Sequence, residues 1–237
     1  LDVTDREAMA RAADEAERVF SKVHVLCNNA GVIAWPAVES ATYSDWDWMM
    51  GVNVGGVVNG IVTFLPRLMR HGEGGHIVNT ASMAALAPLP GKSAIYTASK
   101  YAVRGLSESL RLSLGGQGIG VTTLCPGLTR SNIAESAKLR PDAALADAAA
   151  EGAPKKSLAD IGMDPLELAQ AVLKAVLRND AYVVAHSENL PGVRAAFDEV
   201  LAAFDDQPVT DPTRLNFIRM MDQQIADGRH AQERLVR

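Results

Sequence analysis

A tyrosine, a lysine and a serine in this sequence have the types and the spacing for proton transfer. Tyr96 and Lys100 lie four positions apart, so on a helix their side chains share one face. A tyrosine hydroxyl has an ordinary pKa near ~10, too high for a base at neutral pH, and a fixed ammonium nearby lowers it. The hydroxyl of Ser82, fourteen positions before Tyr96, can donate to the same reacting oxygen. The three residues therefore suit proton transfer to or from an alcohol or carbonyl oxygen.

A Tyr-x-x-x-Lys pair alone is weak evidence, because it also occurs as a plain pair on a helix surface. Four further motifs accompany it in order: Asn28-Asn29-Ala30-Gly31, Gly51-Val52-Asn53-Val54-Gly55-Gly56, Asn79-Thr80-Ala81-Ser82 and Pro126-Gly127. In order and spacing, these motifs resemble those of the short-chain dehydrogenase/reductases, from Leu1 to about residue 185. The resemblance implies a Rossmann-like α/β fold, a doubly wound and mostly parallel sheet between two layers of helices.

The resemblance also implies a role for each motif residue. Tyr96 would exchange the proton, and Lys100 would lower its pKa and bind the hydroxyls of the nicotinamide ribose. Ser82 would hold the substrate oxygen, and Asn53 would anchor a water that links the lysine to solvent. The residues implied for cofactor binding are Asp2, Val3, Asn29, Ala30, Gly31, Tyr96, Lys100, Pro126, Gly127, Thr129 and Ser131. Ser131 stands where the family typically has threonine, and it keeps the hydroxyl.

Hydrophobic periodicity places these residues on alternating helices and strands. It predicts helices over 5–21, 44–71, 94–114 and 165–178, and strands over 23–27, 76–81, 121–125 and 181–185. Ser82 then follows the carboxyl end of the second strand, the edge at which open α/β sheets bind ligands, which favours it over Ser93 and Ser99. Asn53 and the glycines after it, inside the long helix, predict a kink.

Two stretches lie outside this pattern. Residues 132–164 contain no clear strand and are either a mobile substrate lid or a solvated surface loop. Residues 190–237 predict one or two amphipathic helices, a C-terminal extension that would cover the substrate cleft or extend an oligomer interface. No internal repeat is present, and we expect residues 1–237 to form one domain.

The composition is that of a soluble globular protein with one sizeable core. The chain has 237 residues, of which 48% are apolar and 22% charged. A net charge of -5 and an isoelectric point near 5.6 argue against a surface for nucleic acid or anionic membranes. Because no run of about 18 apolar residues and no signal peptide is evident, we expect a cytoplasmic location and no membrane contact.

The cysteines and histidines indicate neither a disulfide framework nor a metal centre. Cys27 and Cys125 lie in apolar runs and are interpreted as small buried hydrophobic residues, which favours a reducing cytosol. No metal-ligand spacing connects the histidines, so none is expected to bind a metal. They are His24, His71, His76, His186 and His230.

The segment Leu1-Asp2-Val3-Thr4-Asp5 corresponds, in the resembled family, to the end of the third strand. The glycine-rich turn that cradles the pyrophosphate should precede it, and no G-x-x-x-G-x-G occurs in this sequence. We therefore expect an N-terminally incomplete domain that lacks the first βαβαβ part of the fold. The residue that selects between NAD and NADP would lie upstream of Leu1, so the cofactor is one of the two, with NAD slightly favoured.

The function implied by the resemblance is NAD(P)-dependent interconversion of a secondary alcohol and a ketone, by a homodimer or homotetramer acting on a small molecule. A second resemblance, carried by Ser131-Asn132-Ile133-Ala134-Glu135 and Leu139-Arg140-Pro141, is to bacterial Cα-dehydrogenases of lignin β-aryl ethers, which oxidise a benzylic alcohol. Two alternatives stay open. One is a dehydrogenase of hydroxysteroids or other bulky alcohols, and the other is a catalytically silent Rossmann-like scaffold that binds a ligand or partner without turnover.

Overall fold

The computed structural model describes residues 1–141, 161–205 and 207–235. In these ranges, four parallel strands form one sheet in the order β1-β2-β3-β4. The strands are β1 (Val25–Asn28), β2 (Gly75–Thr80), β3 (Ile119–Leu124) and β4 (Tyr182–Val183). The helices are α1 (Arg6–Phe20), α2 (Tyr43–Met50), α3 (Gly56–Arg70), α4 (Ala94–Leu114), α5 (Pro165–Arg178), α6 (Leu190–Ala202) and α7 (Pro212–Glu233). The predicted α/β class, a parallel sheet between helices, is confirmed.

Consecutive residues of a strand point to opposite faces of the sheet, and helices cover both of these faces. On one face, Ile77 of β2 packs with Leu68 of α3 and Leu114 of α4. On the other face, Val78 packs with Leu168 of α5. The strand β3 is buried along its whole length, as parallel strands with two covered faces generally are.

The parallel register brings the carboxyl ends of the strands to one edge of the sheet. Asn28 of β1 is in register with Asn79 of β2, and Asn79 with Thr123 of β3. The Asn28 amide donates from Nδ2 to Asn79 Oδ1 at 2.8 Å, and Asn79 Nδ2 donates to Ser107 Oγ at 3.0 Å. This chain of buried hydrogen bonds ties β1 and β2 to α4.

The helices α2 and α3 belong to one continuous helical run, Tyr43–Arg70, interrupted by a π-helical turn at Gly51–Gly55. The run begins at a capping box, in which Thr42 Oγ1 accepts from Asp45 N and the Asp45 carboxylate accepts from Thr42 N. The kink predicted at Asn53 is therefore present as a π turn, a local widening that often accompanies functional sites.

The run Tyr43–Arg70 is the one helix among the described residues that is long and apolar enough to cross a membrane. Core helices of globular proteins meet the same criterion of length and composition. Here Val57, Ile61 and Leu68 on this run pack against the core. One side of the run thus belongs to the core, while Val58, Val62 and Met69 on it are exposed.

The helix α7 lies against α4, and small residues allow the close approach. A Cβ on Gly228 of α7 would stand 2.6 Å from the Leu112 carbonyl oxygen of α4. The buried Gln232 side chain of α7 donates from Nε2 to the carbonyl oxygens of Arg111 at 2.7 Å and Ile119 at 3.0 Å. The predicted C-terminal extension therefore contains two helices, α6 and α7, and α7 braces the C-terminal end of α4.

One expectation about burial is wrong. Cys125 is buried, but Cys27, which the apolar run predicted to be buried too, is exposed. Cys27 lies on β1, the edge strand of the described sheet, in which Leu26 is the buried residue. Both thiols are free.

Alanine at two helical glycines tests whether the close packing of α7 on α4 stabilises the fold. Gly105 and Gly228 both lie inside helices, where alanine improves helix propensity by up to about 1 kcal/mol. A Cβ at Gly105 meets no atom within 4 Å, whereas one at Gly228 meets the backbone of Leu112. We expect Gly105→Ala to be neutral or stabilising and Gly228→Ala to lower the free energy of unfolding in urea by about 1–3 kcal/mol. Equal effects of the two substitutions would contradict the contact.

Candidate active site

Ser82, Tyr96 and Lys100 come together at the carboxyl edge of the sheet, and we call them the proton-transfer cluster. Ser82 lies two residues after β2, and the other two lie in the first two turns of α4. The Ser82 hydroxyl accepts from Ala84 N at 3.1 Å and lowers the pKa of Tyr96. The exposed fractions are 9% for Ser82, 7% for Tyr96 and 2% for Lys100, so protein rather than water surrounds these polar groups.

The ammonium group of Lys100 is buried against a main-chain acceptor. Its Nζ donates to the carbonyl oxygen of Thr80, the last residue of β2, at 2.9 Å. The same atom lies 5.7 Å from the centre of the Tyr96 ring. Burial lowers the pKa of Lys100 from 10.5 to about 8, because the charged form loses its hydration. An ammonium has three N–H donors, so further acceptors such as the hydroxyls of a ribose can bind to it.

Two opposing effects act on the acidity of Tyr96. Burial raises the pKa of Tyr96 above its ordinary value of 10.0, and the hydrogen bond with Ser82 offsets only part of that increase. Burial thus opposes the lowering of this pKa that we expected from Lys100, whose ammonium donates to the Thr80 carbonyl. The expected role of the lysine stays a prediction.

Asn53 holds the loop that follows β1. It is fully buried in the π turn, and its Oδ1 accepts from Val32 N at 2.8 Å. Its Nδ2 donates to the Val32 carbonyl oxygen and to Ser99 Oγ, both at 3.0 Å. Ser99 Oγ in turn donates to the Tyr96 carbonyl oxygen at 2.7 Å. Since both amide N–H groups bind protein acceptors, a water bridging from Asn53 to the lysine would have to donate to its backbone carbonyl or to the second lone pair of Oδ1.

The predicted cofactor residues Asn29, Ala30 and Gly31 follow β1 at the same edge of the sheet. Asn29 and Ala30 are exposed. A Cβ on Gly31 would stand 3.3 Å from both Asn53 Oδ1 and Lys100 Nζ. Glycine therefore keeps that side of the lysine ammonium open to a close approach.

The residues after β3 form a second part of this edge. Thr129 Oγ1 lies 3.3 Å from the carbonyl oxygen of Gly127, which follows Pro126, and 3.3 Å from His186 Nε2. His186 is 2% exposed, and its Nδ1 lies 3.0 Å from the Glu188 carboxylate. His186 thus supports the hydroxyl of a predicted cofactor residue. We did not predict this role for His186, although the residue directly follows the predicted strand 181–185, and that position was the available signal.

Asp2, Val3 and Ser131 lie further from this arrangement. Asp2 Oδ1 accepts from the backbone and the hydroxyl of Thr4, at 2.9 and 2.8 Å. The Val3 carbonyl oxygen accepts from Asn59 Nδ2 of α3 at 2.9 Å. Asp2 and Ser131 are exposed. Within the described residues, none of the three makes a hydrogen bond to the proton-transfer cluster, and their cofactor roles stay predictions.

Part of the stretch 132–164, predicted to be a lid or a loop, covers the tyrosine. Within it, Ile133–Leu139 is a 3-10 helix whose Ala137 packs in one apolar cluster with Tyr96. Residues 142–160 lie outside the described residues. In the described part of the stretch, Ser136, Ala137 and Arg140 are buried while Glu135, Lys138 and Leu139 are exposed, so this helix, which we call the cover, packs on the protein by one side.

Arg140 attaches this cover to α2 through a buried ion pair. Its Nη1 pairs with Asp45 Oδ1, its Nη2 donates to Ser44 Oγ at 3.2 Å, and its guanidinium lies 5.6 Å from the centre of the Trp48 ring. Burial alone would raise the pKa of Asp45, but hydrogen bonds from Thr42 and Arg140 bring it below its ordinary value. Breaking one half of the pair would leave an uncompensated buried charge. Sequence reasoning did not find this pair, which joins residues 95 positions apart.

Several known proteins are similar to this chain in sequence and in fold. A family model described as short chain dehydrogenase matches residues 1–142. The chain is 39% identical over 210 residues to the C alpha-dehydrogenase of Sphingobium sp. (strain NBRC 103272 / SYK-6), an alignment of 85% of this chain and 67% of that protein. A solved structure from Novosphingobium aromaticivorans, assigned to the short-chain dehydrogenases, is 38% identical with a TM-score of 0.78, covering 98% of this chain and 77% of that one. A short-chain dehydrogenase/reductase from Burkholderia phymatum in complex with NAD is 31% identical with a TM-score of 0.72, covering 89% and 78% of the two chains.

Lys100→Met tests the buried ammonium through the pH dependence of stability. The pKa of Lys100 is about 8 in the folded protein and 10.5 ordinarily, so between these values the unfolded chain binds more protons than the folded protein. The group therefore adds stability as the pH rises through this window, by up to about 3 kcal/mol. Methionine removes the charge at similar length. We expect urea unfolding at several pH values to show the parent gaining stability relative to the variant between pH 8 and 10.5, and parallel curves would contradict the burial.

Proposed function

Because the chain belongs to the short-chain dehydrogenase family, we propose that it is an NAD(P)-dependent oxidoreductase that interconverts a secondary alcohol and a ketone. The observation that carries the proposal is the proton-transfer cluster, three buried polar side chains at the carboxyl edge of a parallel sheet. Open α/β sheets bind their ligands at that edge. Burying an ammonium and two hydroxyls costs free energy that apolar side chains would not, so a role in chemistry accounts for them better than a role in packing.

The groups at this edge fit a nicotinamide nucleotide. Lys100 keeps N–H donors beyond the one that binds the Thr80 carbonyl, and these would hold the ribose hydroxyls. Gly31 leaves that ammonium accessible, and Thr129, supported by His186, offers a hydroxyl on the other side of the edge. When bound, the nicotinamide ring supplies the acceptor or donor of a hydride. A relative's complex with NAD supports this cofactor, and we propose NAD or NADP, with NAD slightly favoured.

In the proposed oxidation, the substrate alcohol loses two hydrogens from one C–O unit. The hydroxyl proton would pass to the oxygen of Tyr96 in its phenolate form, and the C–O single bond would become a carbonyl, with the nicotinamide ring supplying the hydride acceptor when bound. Ser82 donates a hydrogen bond to the substrate oxygen, where negative charge develops as the proton leaves. In the reverse direction the neutral Tyr96 hydroxyl donates the proton. Burial raises the pKa of Tyr96, which favours the neutral hydroxyl that donates this proton.

For the substrate, we propose an aryl-substituted secondary alcohol or its ketone, such as the benzylic alcohol of a lignin-derived aryl ether. Similarity to a C alpha-dehydrogenase supports this choice. Trp35 and Trp48 also pack against the apolar cluster that contains Tyr96, and aromatic side chains bind aryl groups through stacked or edge-on contacts. A hydroxysteroid or another bulky alcohol is the alternative within the same reaction class.

Tyr96→Phe tests the proposed reaction, with Tyr101→Phe as the matched control on the same helix. Phenylalanine keeps the ring but cannot carry the proton, so we expect kcat/KM to fall by roughly 10²–10⁴-fold while NADH still binds in a fluorescence titration. Tyr101 is 39% exposed, and its substitution should leave turnover unchanged. Near-normal turnover by Tyr96→Phe would defeat the assignment. NADH binding by the complete gene product without any turnover would instead favour the catalytically silent scaffold.

A substrate panel tests the aryl proposal separately. We expect higher kcat/KM for a benzylic β-aryl ether alcohol and its ketone than for a hydroxysteroid pair, each assayed with NAD(H) and NADP(H). The expected preference arises because flat aryl groups can contact Trp35 and Trp48, which pack against the apolar cluster that contains Tyr96. A preference for the steroid would overturn the substrate class and leave the reaction type standing.

A further inference from the structure

Two histidines and a glutamate meet at the amino edge of the sheet, opposite to the proton-transfer cluster. His24 directly precedes β1, His71 caps the C-terminus of α3, and Glu73 lies in the turn that leads to β2. One ligand atom from each residue lies within 4.8 Å of the other two. His24 Nε2 is 2.9 Å from Glu73 Oε2, and the centres of the two imidazole rings are 4.6 Å apart. Imidazole nitrogens and a carboxylate oxygen are the protein ligands that zinc takes, besides thiolates.

The hydrogen bonds of His71 orient it as a metal ligand. Its Nε2 lies 3.0 Å from the Val23 carbonyl oxygen, which can only accept, so this nitrogen carries the proton. The lone pair is then on Nδ1, where it accepts a hydrogen bond from Glu73 N at 3.2 Å, so a metal at this atom would replace that hydrogen bond. Histidines that bind metals usually donate their other ring N–H to a carbonyl or carboxylate, which fixes the tautomer and the ring orientation. The Val23 carbonyl plays that part here.

The charges around the three residues both favour and oppose a cation. The helix α3 ends at His71, and the free carbonyl groups at the C-terminal end of a helix carry partial negative charge, which favours a cation. Lys22 Nζ pairs with Glu73 Oε1 and competes with a metal for that carboxylate. The Lys22 side chain is 44% exposed, so water can hydrate its ammonium once a metal displaces it. Arg70, at the end of α3, forms an ion pair with Glu17.

We propose that His24 Nε2, His71 Nδ1 and a Glu73 carboxylate oxygen bind a divalent cation of the zinc class, with water completing the coordination. Tetrahedral zinc with bonds of ~2.0–2.2 Å needs ligand atoms roughly 3.3 Å apart. His24 Nε2 and Glu73 Oε2, which are 2.9 Å apart, must therefore give up their hydrogen bond and separate slightly, with the imidazole proton moving to Nδ1. His24 and Glu73 are exposed, so their side chains can rotate towards a metal at His71. Two imidazole ligands select Zn²⁺, Ni²⁺ or Cu²⁺ over Mg²⁺ and Ca²⁺. The metal would tie the end of α3 to the starts of β1 and β2, which makes it a stabilising site.

This proposal is independent of the proposed enzymatic function, and it departs from the expectation that no histidine binds a metal. That expectation rested on spacing within the sequence. His24 directly precedes β1, and His71 lies between α3 and β2. The parallel pairing of β1 with β2 brings the starts of these two strands, and with them the two histidines, together.

Zinc chloride titrated into the chelator-treated protein tests the site. We expect isothermal titration calorimetry to show one saturable equivalent and thermal unfolding to shift upward with zinc, since the metal binds the folded state. Mg²⁺ at the same concentration should produce neither effect. Absence of saturable zinc binding by the parent protein would overturn the proposal.

Four variants separate this site from nonspecific zinc binding. We expect His24→Gln and His71→Gln each to weaken zinc binding by at least tenfold, because even the loss of an outer-shell partner commonly costs that much. His230→Gln, at an exposed histidine on α7, should bind zinc like the parent. Lys22→Gln should bind zinc more tightly, because the competing ammonium is gone. Unchanged affinity in both His24→Gln and His71→Gln, with unfolding midpoints in chelator like that of the parent, would also overturn the proposal.

Discussion

The arrangement of side chains at the carboxyl edge of the sheet depends on the burial of one ammonium group. Lys100 is 2% exposed, and the carbonyl oxygen at the end of β2, that of Thr80, accepts its hydrogen bond. An unpaired charge at such a place would cost several kcal/mol, so α4 must cross the sheet with the lysine above the end of β2. Tyr96 lies one helical turn earlier on the same face and is brought beside Ser82. One contact between a helix and a strand end thus determines where the three side chains of the cluster meet.

The polar groups behind the tyrosine are paired with one another, which makes their geometry rigid. Asn53 holds both the N–H and the C=O of Val32, and Ser99 links that amide to the main chain of Tyr96. Buried networks of this kind specify one arrangement because each unpaired member would be costly. The same enclosure opposes ionisation of the tyrosine hydroxyl. The Arg140–Asp45 pair contributes to it by holding the cover over the tyrosine.

Much of the fold could be predicted because its signals are local. The helix α5 begins at Pro165, after Asp164 whose side chain caps it, and α4 gives way to a glycine-rich turn in which Gly118 adopts a positive φ of 74°. Both helices have the predicted bounds. The ends of the strands differ from prediction by one or two residues, since pairing with neighbouring strands decides them. The exposure of Cys27 was mispredicted for a related reason, because an apolar strand does not reveal that it lies at an edge.

The spacing of Tyr96 and Lys100 is a property of one helix, and the placement of Ser82 follows from the direction of one strand. For that reason the composition of the proton-transfer cluster could be read from the chain before any folding was considered. The support of Thr129 by His186, the Arg140–Asp45 pair and the meeting of His24 with Glu73 join residues 49 to 95 positions apart, and no local pattern encodes such pairs. The pKa of Tyr96 likewise depends on how much water the folded elements exclude from its hydroxyl, a quantity that exists only after those elements have packed together.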